Sequence, residues 1–409
     1  MPNSKVKKRI LILIAEAGFG HRSAANAVAA ALQETHGDKC EAQVINPMQD
    51  DRMPSLLRSS ESDYDRVVRE MPDLYKLGYE ASDALVPSAI VESALTVMMF
   101  EVMRDVVKRY EPDAIVTTYP LYQYPLRAVF SIQRRYVPLI TVVTDLATVH
   151  RLWFHEAADW CLVPTTTVRD LAIEYGLAPD KVQITGIPVY PNLVQETRSP
   201  AQVRSELGWR PDLTTVLAVG SKRVEHLSDV LRALNHSGLP LQLAVVAGGD
   251  EELYRQFQET QWHAPAHVFN FVDNMPTLMR AADAIICKAG GLIVTESLAC
   301  GLPLLLVDVL PGQEEGNADV VVRGGAGELA AGPIDALETI CHWLEHGGAL
   351  LAQRSQNARK LGRPRAAFDV AERAWQAAQR GPYTRPRRRW LRRSRLVALL
   401  RRFDIPWTT

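Results

Sequence analysis

Cysteine is scarce in this chain. Its five cysteines, Cys40, Cys161, Cys287, Cys300 and Cys341, are odd in number and scattered over 409 residues, with no Cys-x-x-Cys pair. That pattern excludes a disulfide framework and a structural zinc site, and it fits reduced core residues of a cytosolic protein. Long apolar runs are missing as well. None approaches the roughly 18 residues that a membrane-spanning helix needs. The apolar run 10–14 is too short for the core of a signal peptide, although the residues before it are polar and basic. Net charge is small, −1 in total, but unevenly spread: residues 384–409 hold nine arginines and one acid, a net +8 that leaves −9 on the remainder. An acidic body with a basic tail points to an anionic partner for the tail.

What is present is ordinary for a globular protein. Hydrophobic residues make up 47% and charged residues 23% of a chain long enough for two domains with full cores. Short β-rich runs alternate with stretches of helical spacing, the pattern of parallel α/β sheets. We expect strands at 10–15, 42–45, 114–118, 138–144, 160–163 and 182–185, then at 213–219, 241–246, 268–272, 284–287 and 304–309. Residues 50–110 read as mainly helical, and their apolar stretch 85–103 either packs in the core or partly faces lipid. Pro188, Pro191 and Pro200 mark a linker, residues 324–327 read as a turn, and residues 366–379 form an alanine-rich amphipathic helix.

Two glycine turns carry the chemistry. The first, Gly18-Phe19-Gly20-His21, joins the first strand to a helix in which Ala24, Ala25, Val28, Ala31 and Leu32 recur. A phosphate-binding P-loop would need glycine at position 15 and lysine at 21, where Ala15 and His21 stand. A dinucleotide fingerprint would need glycine at 23, where Ser23 stands. His21 therefore either contacts the helix start or serves a reaction. The second turn, Lys288-Ala289-Gly290-Gly291, lies between a buried strand and a helix. Free N–H groups at a helix start bind anions, diphosphate included. Glu296 follows about one and a half turns later, where a carboxylate can accept hydrogen bonds from a sugar diol. The next strand ends in Pro311-Gly312-Gln313-Glu314-Glu315-Gly316-Asn317, an amide and two carboxylates that suit hexose hydroxyls.

Those segments, with Gly301-Leu302-Pro303 and the Gly18-x-Gly20-His21-x-Ser23-Ala24 turn, resemble the diacylglycerol glycosyltransferase family. That family comprises monogalactosyldiacylglycerol synthases and processive diacylglycerol glucosyltransferases. It is related to the N-acetylglucosaminyltransferase of peptidoglycan synthesis. The chain departs from the family twice. Phe19 stands where members usually carry a third glycine, and Gly220-Ser221-Lys222-Arg223 replaces a more glycine-rich loop.

The resemblance implies an α/β protein of GT-B fold, two Rossmann-like domains facing a cleft. Residues 1–190 would bind the acceptor and residues 200–362 the nucleotide sugar, with a last helix at 366–380 packing back on the first domain. It implies inverting transfer of a hexose, glucose or galactose, from a UDP-sugar to diacylglycerol or a related lipid, with no cofactor and no metal. His21 would be the general base, since imidazole titrates near neutral pH. Gly20, Gly220, Ser221, Lys222, Lys288, Ala289, Gly290 and Gly291 would meet the donor. Glu296 would hold the ribose, Gly312, Gln313, Glu314 and Asn317 the hexose side, and backbone groups at Phe271 and Val272 the uracil edge, the Phe271 ring being read as core. Asp145, His150 and Trp153 would contact the acceptor or pack the interdomain loop.

The tail lies outside the resemblance. It sets Trp390, Leu391, Leu396 and Phe403 among its arginines, a combination that seats a segment on an anionic leaflet. We therefore expect a cytoplasmic protein, peripheral on the inner face of the plasma membrane, with no nucleic-acid partner. The alternatives are a nucleotide-sugar epimerase of the same fold and a UDP-sugar-binding membrane protein without catalysis.

Overall fold

The structure, a computed structural model, describes residues 7–16, 19–53, 58, 85–195, 197–221, 224, 226–310 and 314–384; for residues 19, 85–91 and 194 it describes the backbone alone. The expected donor contacts Lys222, Gly312 and Gln313 and the arginine-rich tail from 385 onward lie outside the described residues, as does most of the expected helical stretch 50–84.

The apolar runs form two parallel sheets of six strands each. The first contains β1 Lys8–Leu13, β2 Cys40–Ile45, β3 Ala114–Thr117, β4 Leu139–Val142, β5 Trp160–Val163 and β6 Val182–Ile184. The second contains β7 Thr214–Val219, β8 Leu241–Val246, β9 Ala266–Phe269, β10 Ala284–Lys288, β11 Leu304–Asp308 and β12 Gly327–Leu329. β3, β4 and β8 bury every residue, as strands covered by helices on both faces do.

Three expectations change. Residues 324–327 read as a turn, yet Gly327 pairs with Leu304 and begins the edge strand β12; three residues containing a glycine carry too little periodicity to announce a strand. The linker after Pro188 is partly helical, with Pro191–Gln195 and Pro200–Glu206, the second started by a Ser199–Gln202 capping box. The strand expected at 268–272 ends at Phe269.

Strand order places the site. The sheets run β2-β1-β3-β4-β5-β6 and β12-β11-β10-β7-β8-β9. The chain reverses direction across the first sheet between β1 and β3, and across the second between β7 and β10. Ligands of open parallel sheets gather beyond the strand ends at such reversals. Both glycine turns of the sequence sit there: one after β1, the other after β10.

The long helix Leu85–Tyr110 takes Pro87 into its first turn, where a missing N–H is tolerated. Leu95, Met99, Val102, Met103 and Val107 bury one face of it in the first domain, while Val97 on another face is 78% exposed. The helix Ala366–Arg380 buries Ala367, Val370, Ala371, Ala374 and Ala378 in one cluster with Ala27, Val28 and Ala31 of the helix Phe19–His36. Small side chains let these helices approach closely, and His36 stacks on Trp375 with ring centroids 4.9 Å apart. The returning chain crosses at Gly186. There φ is +91°, and a Cβ would meet Arg363 Cβ at 2.3 Å, so only glycine fits.

Candidate active site

His21 lies in the first turn of Phe19–His36, beyond the end of β1. Thr118, at the end of β3, donates its hydroxyl to the His21 carbonyl at 3.0 Å and so bridges the strand reversal. The ring is bounded edge-on by Tyr119 at 5.3 Å and tilted against Trp153 at 6.0 Å. Its Nδ1 lies 3.0 Å from Thr144 Oγ1, just past β4. Burial holds the imidazole pKa down at about 4, so the ring is neutral and able to accept a proton at neutral pH.

The expected acceptor residues form the loop beside it. The indole N–H of the buried Trp153 donates to Asp145 Oδ2 at 2.9 Å. Burial pushes the Asp145 carboxyl up to about 6 against the opposing pull of that hydrogen bond. His150 is buried, and its Nδ1 accepts the Leu152 N–H at 3.1 Å, capping the turn Arg151–Trp153. Through Nδ1, His150 holds the loop in shape; Trp153 and Asp145 reach the His21 side of it.

On the second domain, Gly290 caps the helix Gly291–Cys300 at the end of β10. The Lys288 ammonium pairs with the buried Glu314 carboxylate, whose Oε2 also accepts the Leu310 N–H at 3.1 Å. Asn317 Nδ2 donates to the Ala289 carbonyl at 2.9 Å, and the Ala289 N–H donates to the Asp308 carbonyl at 2.8 Å. Lys288, Ala289, Glu314 and Asn317 therefore brace the glycine turn with the same groups that the sequence assigns to the donor. Glu296 differs from them. Its carboxyl is largely buried, it makes no hydrogen bond or ion pair among the described residues, and burial pushes its pKa up to about 7. Gly220 ends β7 with its N–H on the Val246 carbonyl at 2.7 Å, and the Ser221 carbonyl accepts the Val224 N–H. Phe271 corrects the sequence reading of its ring as core: it is 68% exposed, beside the Gly249 turn, while Val272 packs on the second-domain core. The strand stops at Phe269, which frees residue 271 from the alternation that would have turned it inward.

The two walls touch. A Cβ on Gly291 would lie 3.5 Å from the Thr144 carbonyl oxygen. A Cβ on Gly316 would lie 2.5 Å from Thr148 Oγ1 and 2.9 Å from Thr148 N, so the helix Glu315–Arg323 meets the 147–148 loop at a position with no room for a side chain. Ala24 and Leu146 of the first domain join the core cluster of the second. His21 and Gly291 thus face one cleft, with Thr144 in contact with both sides. Gly20 borders open space: a Cβ there would meet nothing within 4 Å.

Two features escaped the sequence reading. Thr144 was taken as the last residue of a strand. His226 Nδ1 and Asp308 Oδ1 are 2.5 Å apart, tying the loop after β7 to the end of β11; the two residues are 82 positions apart and belong to no common motif. An Asp-x-Asp triplet of the kind that holds a cation for nucleotide sugars does occur, Asp63-Tyr64-Asp65, outside the described residues.

Comparison with known proteins shows the family and the fold. The monogalactosyldiacylglycerol (MGDG) synthase family model matches residues 21–189, and the glycosyltransferase family 28 C-terminal domain matches residues 214–340. The chain is 32% identical to the chloroplastic MGDG synthase of Spinacia oleracea, over 89% of this chain and 71% of that one. It is 31% identical to chloroplastic MGDG synthase 1 of Arabidopsis thaliana, over 89% and 70%. Among solved structures, Acinetobacter baumannii MurG superposes with a TM-score of 0.58 at 16% identity, covering 90% of this chain and 99% of that one. The S. aureus MnaA–UDP complex gives 0.58 at 14%, covering 89% and 94%. At those identities the likeness is one of fold.

Proposed function

The chain belongs to the monogalactosyldiacylglycerol synthase family of glycosyltransferases, and from that premise we propose that it transfers galactose from UDP-galactose to diacylglycerol with inversion at the anomeric carbon. The observation that carries this reading is the neutral His21 ring facing the Gly290–Gly291 helix start across a cleft bridged by Thr144.

In the proposed reaction the diphosphate lies at the helix N-terminus, where oriented N–H groups stabilise the negative charge that develops on it. Glu296 accepts the ribose hydroxyls, the exposed Phe271 ring covers the uracil, and Gln313 and Glu314 orient the hexose. The acceptor hydroxyl enters beside Trp153 and Asp145. Its proton passes to His21 Nε2 as its oxygen bonds the anomeric carbon, while the bond from that carbon to the diphosphate oxygen breaks and UDP leaves. No metal has a part in this scheme, and activity should survive a chelator.

Among the described residues no helix is long and apolar enough to cross a membrane. We propose that the enzyme works at a membrane surface, held there by the arginines and apolar residues of 384–409. The inner face of the plasma membrane is the site we propose; the plant relatives carry the chloroplast in their names.

The test is to incubate the protein with UDP-galactose and diacylglycerol vesicles and to identify the product by mass and anomeric configuration. A β-linked galactosyl diacylglycerol supports the proposal. Consumption of UDP-galactose without lipid would favour the epimerase, and binding with no turnover on any lipid would favour a protein without catalysis.

A further inference from the structure

Thr144 is 7% exposed, and among the described residues its hydroxyl has one hydrogen-bond partner, His21 Nδ1 at 3.0 Å. His21 has a second polar contact, a hydrogen bond with the Thr118 backbone that pulls its pKa upward against burial. The ring is bounded by Tyr119 and Trp153, and neither of these contacts distinguishes one ring nitrogen from the other. The carboxylate beside it, Asp145, is engaged with the Trp153 indole N–H instead. On the other side, the Thr144 carbonyl backs the Gly291 helix start.

A general base must present a bare nitrogen to the proton it removes. In a neutral imidazole the second nitrogen then carries the hydrogen, and a partner that accepts it fixes the tautomer. We propose that Thr144 is the positioning residue of His21: its Oγ1 accepts Nδ1–H, holds the ring in the Nδ1–H tautomer, and leaves Nε2 free to take the acceptor's proton. This inference rests on His21 being the base. A hydroxyl suits the task in a way a carboxylate does not. It accepts one hydrogen bond without placing a negative charge beside the ring, so the base stays unprotonated before reaction. Once Nε2 has taken the proton, both ring nitrogens carry hydrogen and the same Oγ1 still accepts the bond from Nδ1. Nothing has to rearrange during the transfer. Because Thr144 also touches the helix that receives the diphosphate, the base and the leaving-group site share one support.

Thr144→Val removes the hydroxyl at nearly constant shape, and Thr144→Ser keeps it. We expect Thr144→Val to lower kcat about tenfold, the loss of one good hydrogen bond in the transition state. The KM for UDP-galactose and the affinity for UDP should stay within about twofold, and Thr144→Ser should restore kcat to within about twofold of wild type. The double variant His21→Ala/Thr144→Val should be no slower than His21→Ala, because the two residues act as a unit. Two-bond 1H–15N spectra of the wild-type protein should show His21 as the Nδ1–H tautomer, and those of Thr144→Val should move toward Nε2–H. An inactive His21→Ala beside a fully active Thr144→Val with an unchanged tautomer overturns the role of Thr144 and leaves the base in place. A fully active His21→Ala overturns both. A Thr144→Val that loses donor affinity as steeply as kcat overturns the proposal in favour of simple packing.

Discussion

Glu296 offers the most demanding test, because the carboxylate that weakens the empty protein is the one proposed to bind the donor. Its pKa is pushed from 4.5 to about 7 by burial, with no hydrogen bond or cation among the described residues to offset the loss of water. The sign follows directly. A carboxyl whose folded pKa lies above its unfolded pKa binds protons more tightly when folded. Between the two values the unfolded state has released a proton that the folded state still holds, so stability falls as pH rises. At ~1.4 kcal/mol per pKa unit, the loss accumulated between about pH 5 and about pH 8 is on the order of 2–3 kcal/mol. Glu296→Gln removes the titration. Urea unfolding should find the variant close to wild type at about pH 5 and more stable by roughly 2 kcal/mol at about pH 8. Donor binding should move the other way. Losing hydrogen bonds from a ribose to a carboxylate costs about 1.5–3 kcal/mol, or roughly 10- to 100-fold in UDP affinity. If Glu296→Gln gains nothing in stability at the higher pH, or binds UDP as tightly as wild type, then Glu296 is neither a stranded carboxylate nor a ribose ligand, and the donor site must be redrawn.

Other perturbations reach other parts of the cleft. Lys288→Met should destabilise the protein by about 3–5 kcal/mol in urea unfolding, since it strands the buried Glu314 carboxylate; a loss below about 1 kcal/mol would show that this carboxylate is solvated. Gly316→Ala drives a methyl group into the Thr148 backbone. At an overpacking cost of about 1–3 kcal/mol it should reduce kcat/KM about 5- to 100-fold, with UDP affinity much less affected; unchanged kinetics would mean that turnover does not need this contact between the domains. Trp153→Phe removes the indole N–H that holds the Asp145 pKa down, so the carboxyl should titrate above its present value of about 6, as NMR of the carboxyl carbon would show. Finally, no acid limb of kcat/KM above about pH 5 should belong to His21, whose pKa lies at about 4; a limb near neutrality that vanished in a His21 variant would contradict the buried, neutral base.

The fold was largely legible because parallel strands are read from short, bounded apolar runs, and eleven of these stood out between glycines and prolines. β12 escaped, with three residues and a glycine at Gly327, and so did the helical turn Pro191–Gln195, hidden under the prolines that marked a linker. At the site, the glycines at 290, 291 and 316 were visible as residues, and at Gly316 a Cβ would run into Thr148. What lay opposite was not visible, since Thr144 and Thr148 meet them only through the closing of two domains. The bonds that Lys288, Asn317 and Ala289 make within the turn were not legible either, because a motif does not show which of its groups partner one another. The His226–Asp308 pair joins two loops that reach each other only through the order β11-β10-β7, and the sequence does not print that order.

The central claim is that a neutral His21 deprotonates a lipid hydroxyl across the cleft from a bound UDP-sugar. The most direct measurement is UDP release from UDP-galactose by wild type and His21→Ala, with and without diacylglycerol vesicles, alongside UDP affinity measured by calorimetry on the same preparations. The account predicts lipid-dependent release by the wild type, a loss of about 100-fold or more in the variant, and equal UDP affinity in both. Lipid-dependent release that survives the loss of His21 would contradict it.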